Sequence, residues 1–430
     1  MKQVVLHGDP ELLCDQHHMA EKARNLNITV AAMRMAATVT WELNAVQVLA
    51  LGCAGILLGA WFKRRLRFLD RLCIPTSIVG GMVFALIALA LHGRYADFTP
   101  DTTLRDLLMI AFMTTIGLNA RMALIRRGGI PLLLMLALAT AGAILQNLLG
   151  IGLAKAMGLN PLIGILSGSI ALTGGPGTAL AFGPTFEAMG VRGATEVAAA
   201  SAIFGITVAG LVGGYIGSRL IRRHKLQSQA VTAQATTAAE NEPHQITALL
   251  QAVLALGIAM GVGNLISNGF NHFRIILPPY IGAMIAAAII RNVNDRFAFF
   301  RLSQPSVDAC ALVSLYLFIV MAVMTLRLWE LANLVLPLIL ILVAQVVLCW
   351  LMCVTACFYL MGRNYESAVM SSGFCGFMLG VTANAVACME ELVEKFGPAP
   401  QSFLVVPLVG AFLIDFANSL IITTMANMLR

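Results

Sequence analysis

The sequence has very few charged residues. Of its 430 residues, 11% are Asp, Glu, Lys or Arg, whereas 59% are hydrophobic and the mean hydropathy is +0.85. An ordinary soluble domain carries roughly 25% charged residues, so this chain cannot cover a water-facing surface of its own size. The scarcity of charge therefore excludes a soluble globular protein and predicts an integral membrane protein.

Several common catalytic motifs are also missing. All seven His lie in the N-terminal tail, in loops or at the ends of apolar runs. The sequence contains no HExxH motif and no GxxxxGK[ST] phosphate-binding loop. These absences disfavour a membrane zinc protease, a His-based proton relay and an ATP-driven pump, and we predict that the chain is not an enzyme.

The nine Cys are odd in number and lie mostly inside apolar runs. This placement is typical of small buried packing residues and does not indicate a disulfide framework. Cys349, Cys353 and Cys357 fall on one helix face and offer a possible metal site, but no His lies near them. We therefore expect no metal centre and no organic cofactor.

Ten apolar runs are long enough to span a membrane as helices, which need about 20 residues each. Two further segments, residues 161–190 and 365–397, are only moderately apolar and rich in Gly, Ser and Thr. Each has room for two short half-helices around a break, which is typical of a re-entrant hairpin enclosed by protein. The ten predicted spans are residues 43–62, 73–92, 104–120, 129–157, 195–220, 246–267, 275–290, 307–326, 335–361 and 402–429.

The distribution of Lys and Arg orients these spans. If residue 43 starts outside, 17 Lys and Arg fall in inside loops and 7 in outside segments. This excess is the positive-inside signal, so the net charge of +7 indicates topology and not nucleic-acid binding. Both termini are then external, provided that each Gly-rich segment enters and leaves on one side.

The chain divides into two similar halves. Residues 1–42 are expected to form a disordered tail, and the polar residues 226–245 a flexible cytoplasmic linker. The halves, residues 43–225 and 246–430, each hold five spans and one hairpin, so the second half is inverted relative to the first. The fold class predicted is thus an all-α membrane protein with two inverted five-helix repeats, the architecture of secondary transporters.

Polar residues at membrane depth are few. Asp415 is the one acidic residue well inside an apolar run, and an intramembrane carboxylate usually marks an ion or substrate pathway. The alternative is a hydrogen bond between helices, for example to Asn418. Glu196, at the start of its span, is expected to cap the helix. Three further polar residues either line the pathway or bond to neighbouring helices: Asn119, Gln146 and Asn147.

The breaks in the two Gly-rich segments carry candidate binding groups. We name residues 173–178 (TGGPGT) the first tip and residues 380–384 (GVTAN) the second tip. Gly and Pro interrupt a helix there, which frees N–H groups for a carboxylate and carbonyl oxygens for Na⁺. The alternative is a small-residue surface that allows close helix packing.

Five stretches are the most distinctive: residues 114–120 (TTIGLNA), 168–178 (GSIALTGGPGT), 194–198 (ATEVA), 375–382 (CGFMLGVT) and 403–418 (FLVVPLVGAFLIDFAN). Through them the chain resembles the sodium/glutamate symporter family of bacterial inner membranes, from about residue 46 to residue 428. The resemblance implies Na⁺-coupled uptake of L-glutamate, hairpins that enter from opposite sides, a homodimer and an elevator-like motion of the hairpin domain.

Both tips depart from the usual pattern of that family. Pro176 stands where the family usually has His, and residues 382–385 read TANA in place of TPTA. Since both changes lie at expected ligand contacts, a Na⁺-coupled dicarboxylate or hydroxycarboxylate symporter of the same fold is the alternative. A channel or sensor without coupled transport is a more distant one.

The resulting hypothesis is a symporter in which Na⁺ and L-glutamate, or a related small anion, bind between the tips near mid-membrane. Asp415 meets the substrate ammonium or Na⁺, and Asn418 supports it. The candidate substrate contacts are Thr173, Gly174, Gly175, Thr178, Thr382, Asn384 and Asp415, and the candidate Na⁺ ligands are Thr173, Thr382, Asn384, Asp415 and Asn418.

Overall fold

A computed structural model describes residues 39–66, 74–91, 96–228, 245–272, 279–297, 299 and 302–429. Most of the expected tail (residues 1–38) and of the expected linker (residues 229–244) lies outside these ranges, so both remain predictions.

Helices make up almost all of the described residues, and each predicted span overlaps one of them. In the first half they are α1 (Ala45–Arg65), α2 (Thr76–Leu91), α3 (Thr103–Asn119), α4 (Met122–Ala156), α5 (Pro161–Ile170), α6 (Gly175–Ala188) and α7 (Ala194–His224). In the second half they are α8 (Gln245–His272), α9 (Pro279–Phe297), α10 (Gln304–Met324), α11 (Val335–Leu360), α12 (Tyr365–Leu379), α13 (Thr382–Phe396) and α14 (Pro400–Met428).

By length and composition, seven helices in the described part of the chain are long and apolar enough to cross a membrane. They lie within α1, α4, α7, α8, α10, α11 and α14. The other three predicted spans correspond to α2 and α3, which have 16 and 17 residues, and to α9, whose second half carries Arg291, Asp295 and Arg296. The chain is therefore a multi-pass helical membrane protein.

Two short strands precede α1 and α3. β1 (Val39–Leu43) pairs in parallel with β2 (Ala96–Pro100), and Trp41 packs edge-on against Phe98 with ring centroids 6.4 Å apart. The prediction that residues 1–42 form a disordered tail is thus wrong for the last four of them. Backbone pairing and an aromatic contact hold residues 39–42 in an ordered strand.

The helices pack as two groups. In the first group α1 packs on α2, α8 on α9, α9 on α3, and α10 on α2 and α3. The second group contains α7, α11, α14 and most of α4, together with the first helix pair (α5 and α6) and the second helix pair (α12 and α13). Each group takes helices from both halves of the chain.

Glycines allow the closest crossings inside the first group. A Cβ added at Gly80 in α2 would collide with the Gly55 carbonyl of α1. A Cβ added at Gly282 in α9 would likewise collide with the Gly263 carbonyl of α8. The first two helices of each half therefore cross at matching glycine pairs.

Helix α4 bends where it passes from one group to the other. Gly129 has φ +62° and ψ −155°, a conformation that is essentially confined to glycine. Before the bend, Met122 N–H donates to Asn292 Oδ1 of α9 at 2.9 Å, so the first turns of α4 stay with the first group. After it, residues Gly129–Ala156 pack in the second group.

Candidate functional site

The first helix pair is broken at Gly168, where φ is −98° and ψ is −126° within the π-helical turn Leu166–Ile170. Such a turn releases backbone groups from the regular helix pattern. Asn147 Oδ1 of α4 accepts from Ser169 N–H at 2.9 Å, and Asn418 Nδ2 of α14 donates to the Ser169 carbonyl at 2.9 Å. Side-chain amides of two neighbouring helices thus hold the broken backbone in place.

The two predicted tips meet. Gly175, the first residue of α6, has φ +65°, and a Cβ added there would lie 2.7 Å from Val381 Cγ1 and 3.4 Å from the Gly380 carbonyl oxygen. A residue with a side chain would be strained in this conformation and would press against the second tip. The glycine therefore allows the tips to touch.

Gln146 of α4 ties the tips together. Its Oε1 accepts from Thr173 Oγ1 at 2.6 Å, and its Nε2 donates to the Met378 carbonyl, just before the second tip, at 2.8 Å. Gln345 Nε2 of α11 donates to the backbone carbonyl of Gln146 at 2.7 Å, and all these side chains are buried. Of the two alternatives for Gln146, the structure shows that it bonds to neighbouring elements, namely the first tip and the backbone just before the second tip.

Helices α6 and α13 both begin at the tips, and neither start has a side-chain cap. The first N–H groups of a helix have no partner within it, and the N-terminus carries a partial positive charge. Because Gly175 contacts the second tip at Val381, two such ends lie close together. This arrangement suits a small anion with two carboxylates.

Four buried side-chain oxygens in this region have no hydrogen-bond partner in the described part of the chain: Ser169 Oγ, Gln345 Oε1, Asn384 Oδ1 and Asn418 Oδ1. Asn384 Nδ2 donates to the Ile206 carbonyl of α7 at 2.9 Å, which fixes the amide with its oxygen unpaired. An unpartnered buried oxygen is costly unless a donor or a cation meets it. Asn384 and Asn418, both predicted Na⁺ ligands, are therefore oriented to offer such an oxygen.

Asp415 lies half-buried on α14, two residues after the π-helical turn Val409–Leu413. Among the described residues none hydrogen-bonds or ion-pairs with its carboxylate, although its backbone carbonyl accepts from Ser419 Oγ at 2.8 Å. The alternative hydrogen bond to Asn418 does not form, because Asn418 donates to Ser169 of the first helix pair. The carboxylate is thus available to a ligand.

The remaining predicted contacts lie at or under the tips. Thr178 is buried, and a Cβ added at Gly174 would lie 2.5 Å from its Cβ, so the Thr178 side chain packs beneath the turn. Thr382 is half-buried at the start of α13. The structure therefore joins the two tips through Gly175, and places Asn384 against α7 and Asn418 against α5.

The sequence did not indicate Gln345, Ser169 or Met378 as site residues. Gln345 is an amide inside an apolar run, as Gln146 is, and this pattern could have indicated it as a site residue. Met378 contributes its backbone carbonyl, which has no sequence signal at all.

Two other polar residues connect helices away from the tips. Asn119 Oδ1 accepts from Gln304 Nε2 at 2.5 Å at the start of α10, so Asn119 bonds to a neighbouring helix within the first group. Glu196 Oε1 accepts from the Arg327 N–H, just after α10, at 2.8 Å. Besides its predicted place at the start of α7, Glu196 therefore links the two groups.

The first helix pair also lies against the first group. The Phe182 and Tyr280 rings stack edge to face with centroids 5.2 Å apart, and Thr185 Oγ1 lies 3.2 Å from the Tyr280 hydroxyl. Within the first tip, a Cβ added at Gly177 would lie 2.8 Å from the Phe112 ring of α3. The tips are thus close to the boundary between the groups.

Comparison with known proteins identifies the family of this chain. The family model described as sodium/glutamate symporter matches residues 41–398. The chain belongs to that family. It is 37% identical over 391 residues to the sodium/glutamate symporter of Escherichia coli (strain K12). The aligned residues cover 89% of this chain and 97% of that protein. It is 32% identical over 389 residues to the sodium/glutamate symporter of Haemophilus influenzae, covering 88% and 96% respectively.

The matched range contains both tips, Gln146 and Asn384. The resemblance predicted from the sequence is therefore confirmed. The family is one of transporters, in agreement with the prediction of a transport protein and not an enzyme.

Proposed function

We propose that this protein couples inward Na⁺ movement to the uptake of L-glutamate. The observation that carries the proposal is the meeting of two uncapped helix N-termini at tips that Gln146 joins. The family assignment and the names of the relatives support both the cargo and the coupling ion.

In the proposed complex, the two carboxylates of glutamate bind the N-terminal N–H groups of α6 and α13. Backbone N–H groups and the positive helix ends stabilise such charges. The tip residues Thr173, Gly174, Gly175, Thr178, Thr382 and Asn384 surround the substrate. The Asp415 carboxylate then binds the ammonium group of the substrate. Without this partner, each of the two charges would lie within the membrane with no counter-charge.

Na⁺ binds to oxygen atoms that the fold leaves unpaired. Asn384 Oδ1 and Asn418 Oδ1 are the best supported, because both are buried and without a partner among the described residues. The hydroxyls of Thr173 and Thr382 and the carboxylate of Asp415 complete the proposed ligand set. No other cofactor is proposed.

The proposed architecture is two inverted repeats of five spans, each with a re-entrant hairpin: α5 and α6 in the first repeat, α12 and α13 in the second. The matching glycine crossings of α1 with α2 and of α8 with α9 support the repeat. The two helix groups and the glycine bend at Gly129 support an elevator-like movement of the second group. We place the protein in the bacterial inner membrane as a homodimer, with both termini external.

The rival cargo is a dicarboxylate or hydroxycarboxylate. Two helix N-termini suit it equally, but it has no ammonium group and does not need Asp415 as a counter-charge. Three tip residues depart from the family pattern: Pro176, Ala383 and Asn384. Of these, Pro176 and Asn384 are where we expect a change of cargo to be encoded.

The test is uptake of labelled L-glutamate by proteoliposomes containing the purified protein, with and without an inward Na⁺ gradient. We expect gradient-dependent accumulation that a Na⁺ ionophore abolishes. Asp415→Asn should remove it, whereas Asp106→Asn, at an exposed carboxylate paired with its neighbour Arg105, should not.

Folded protein that accumulates a dicarboxylate but not glutamate would replace the cargo by its rival. Flux that neither saturates nor depends on Na⁺ would favour a channel. Normal glutamate uptake by Asp415→Asn would remove that residue from the proposed site.

A further inference from the structure

Three cysteines from two helices meet in the core beside the second helix pair. Cys349 and Cys353 lie one turn apart on α11, and Cys375 lies on α12. Their Sγ atoms are all within 4.8 Å of one another, and all three residues are buried. The sequence suggested Cys349, Cys353 and Cys357 as the possible group, because Cys375 is remote in sequence and reaches it only through the fold.

The spacing of the three sulfurs matches that around a single soft metal ion. With metal–sulfur bonds of about 2.3 Å, sulfurs in a trigonal arrangement lie about 4 Å apart. The triad needs only small side-chain movements to reach this spacing. Cys353 also begins the π-helical turn Cys353–Cys357, and π-helical turns occur frequently at functional sites.

The surroundings determine the class of ion. The triad belongs to the main hydrophobic core, together with Phe374 and Phe377, where a highly charged complex would be costly. A monovalent ion with one thiolate and two neutral thiols has no net charge. Sulfur ligands select soft ions such as Cu⁺, and Ag⁺ has the same charge and softness.

Two methionines extend this sulfur-rich region toward the tips. Met352 and Met378 both reach Gly142 of α4, where an added Cβ would lie 3.0 Å and 2.7 Å from their Cε atoms. Met378 Sδ also accepts from Thr173 Oγ1 of the first tip at 3.7 Å. Since thioethers are soft ligands as well, the core that holds the triad contains further soft donors.

We propose that Cys349, Cys353 and Cys375 form a binding site for a soft monovalent metal ion of the Cu⁺ or Ag⁺ class. On binding, one thiol releases its proton to water and its sulfur bonds to the ion, while the other two sulfurs coordinate as neutral thiols. No electron is transferred. The bound ion fastens α12, and with it the second tip five residues beyond Cys375, to α11.

The binding is tested on the full-length protein, purified anaerobically in detergent and equilibrated with Cu⁺ buffered by bathocuproine disulfonate. We expect one Cu⁺ per chain, with X-ray absorption showing sulfur neighbours at about 2.3 Å. Cys375→Ser and Cys353→Ser should each weaken retention at least tenfold. The controls Cys310→Ser and Cys388→Ser, whose sulfurs are outside the triad, should retain it.

Wild-type protein that retains no more Cu⁺ than Cys375→Ser would overturn the proposal, as would equal losses in the two controls. If Cys375→Ser does not fold, Cys375→Ala replaces it, and its folding is checked by its size-exclusion profile. Inhibition of glutamate uptake by Cu⁺ or Ag⁺ is a consequence that rests on the proposed function. Retention is measured without transport, so a failure of glutamate uptake leaves the binding result intact.

Discussion

Replacing Gln146 by Leu should separate the two tips. The substitution keeps most of the side-chain volume but removes the acceptor for the Thr173 hydroxyl and the donor to the Met378 carbonyl. A buried polar group that loses its partner costs about 1–3 kcal/mol. We take the lower value for each group, since Thr173 can still turn toward Met378 Sδ. The total of about 2 kcal/mol shifts the equilibrium toward separated tips roughly 30-fold.

Hydrogen exchange measured by mass spectrometry reports this shift directly. Peptides that cover residues 170–180 and 376–386 should exchange faster in Gln146→Leu by about that factor, and the KM for Na⁺-driven glutamate uptake should rise. The matched control is Thr140→Val on the same helix, whose hydroxyl donates to the Leu136 carbonyl one turn back at 2.7 Å. That hydroxyl bonds within α4, so its loss should leave both tips protected.

The reasoning is refuted if exchange at both tips in Gln146→Leu stays within twofold of that in Thr140→Val. Such a result would mean that packing at the tip contact, and not the amide bridge, holds the tips together. Faster exchange at one tip alone would mean that Gln146 holds that tip in place and not the other.

Three further substitutions test the bend of α4, the contact between the tips and the contact between the two helix groups. Gly129→Ala should cost about 1–3 kcal/mol of stability and slow transport, because the backbone conformation of Gly129 is essentially confined to glycine. The control is Gly152→Ala on the same helix, where an added Cβ meets open space. This control should be neutral in a thermal melt. Gly175→Ala should raise the KM for glutamate with little loss of folded protein. A Cβ at φ +65° costs about 1–2 kcal/mol and presses on the second tip. An unchanged KM would mean that the substrate binds elsewhere. Tyr280→Phe keeps the aromatic contact but removes the hydrogen bond to Thr185, so the melting temperature should fall by the equivalent of about 1 kcal/mol, and an unchanged melt would show that this bond contributes nothing.

The helices and the tips could be predicted because their signals are local. A long apolar run needs no partner to be recognised, and Gly-Gly-Pro-Gly interrupts a helix whatever surrounds it. The ends of the spans were less predictable. Helix α9 starts at Pro279 and runs to Phe297, beyond the apolar run, because its last turns are held by the ion pairs of Asp295 with Arg121 and Arg291.

The partners of the polar residues could not be predicted, because they depend on contacts between distant segments. Gln146 stands out in its sequence context, but its bonds to Thr173 and Met378 join segments 27 and 232 residues away. The same holds for Cys375, which meets two cysteines of α11 across the core. Sequence reasoning identifies which polar residues need a partner, whereas the packing decides which partner each one finds.

These long-range bonds also decide which parts of the protein can move as a unit. Gln146 to Met378, Asn384 to Ile206 and Asn418 to Ser169 each join the first half of the chain to the second, and all lie inside the second helix group. A motion of one half against the other would break every one of these buried bonds.

A motion of one helix group against the other keeps them. The contacts that must change instead include Thr185 with Tyr280 and Glu196 with the Arg327 backbone, at the boundary between the groups. The glycine bend at Gly129 lies where α4 crosses that boundary, and it supplies a backbone position that tolerates a large change of angle. The energetics of the buried polar contacts therefore support the proposed movement of the second group as a body, which would carry both tips together.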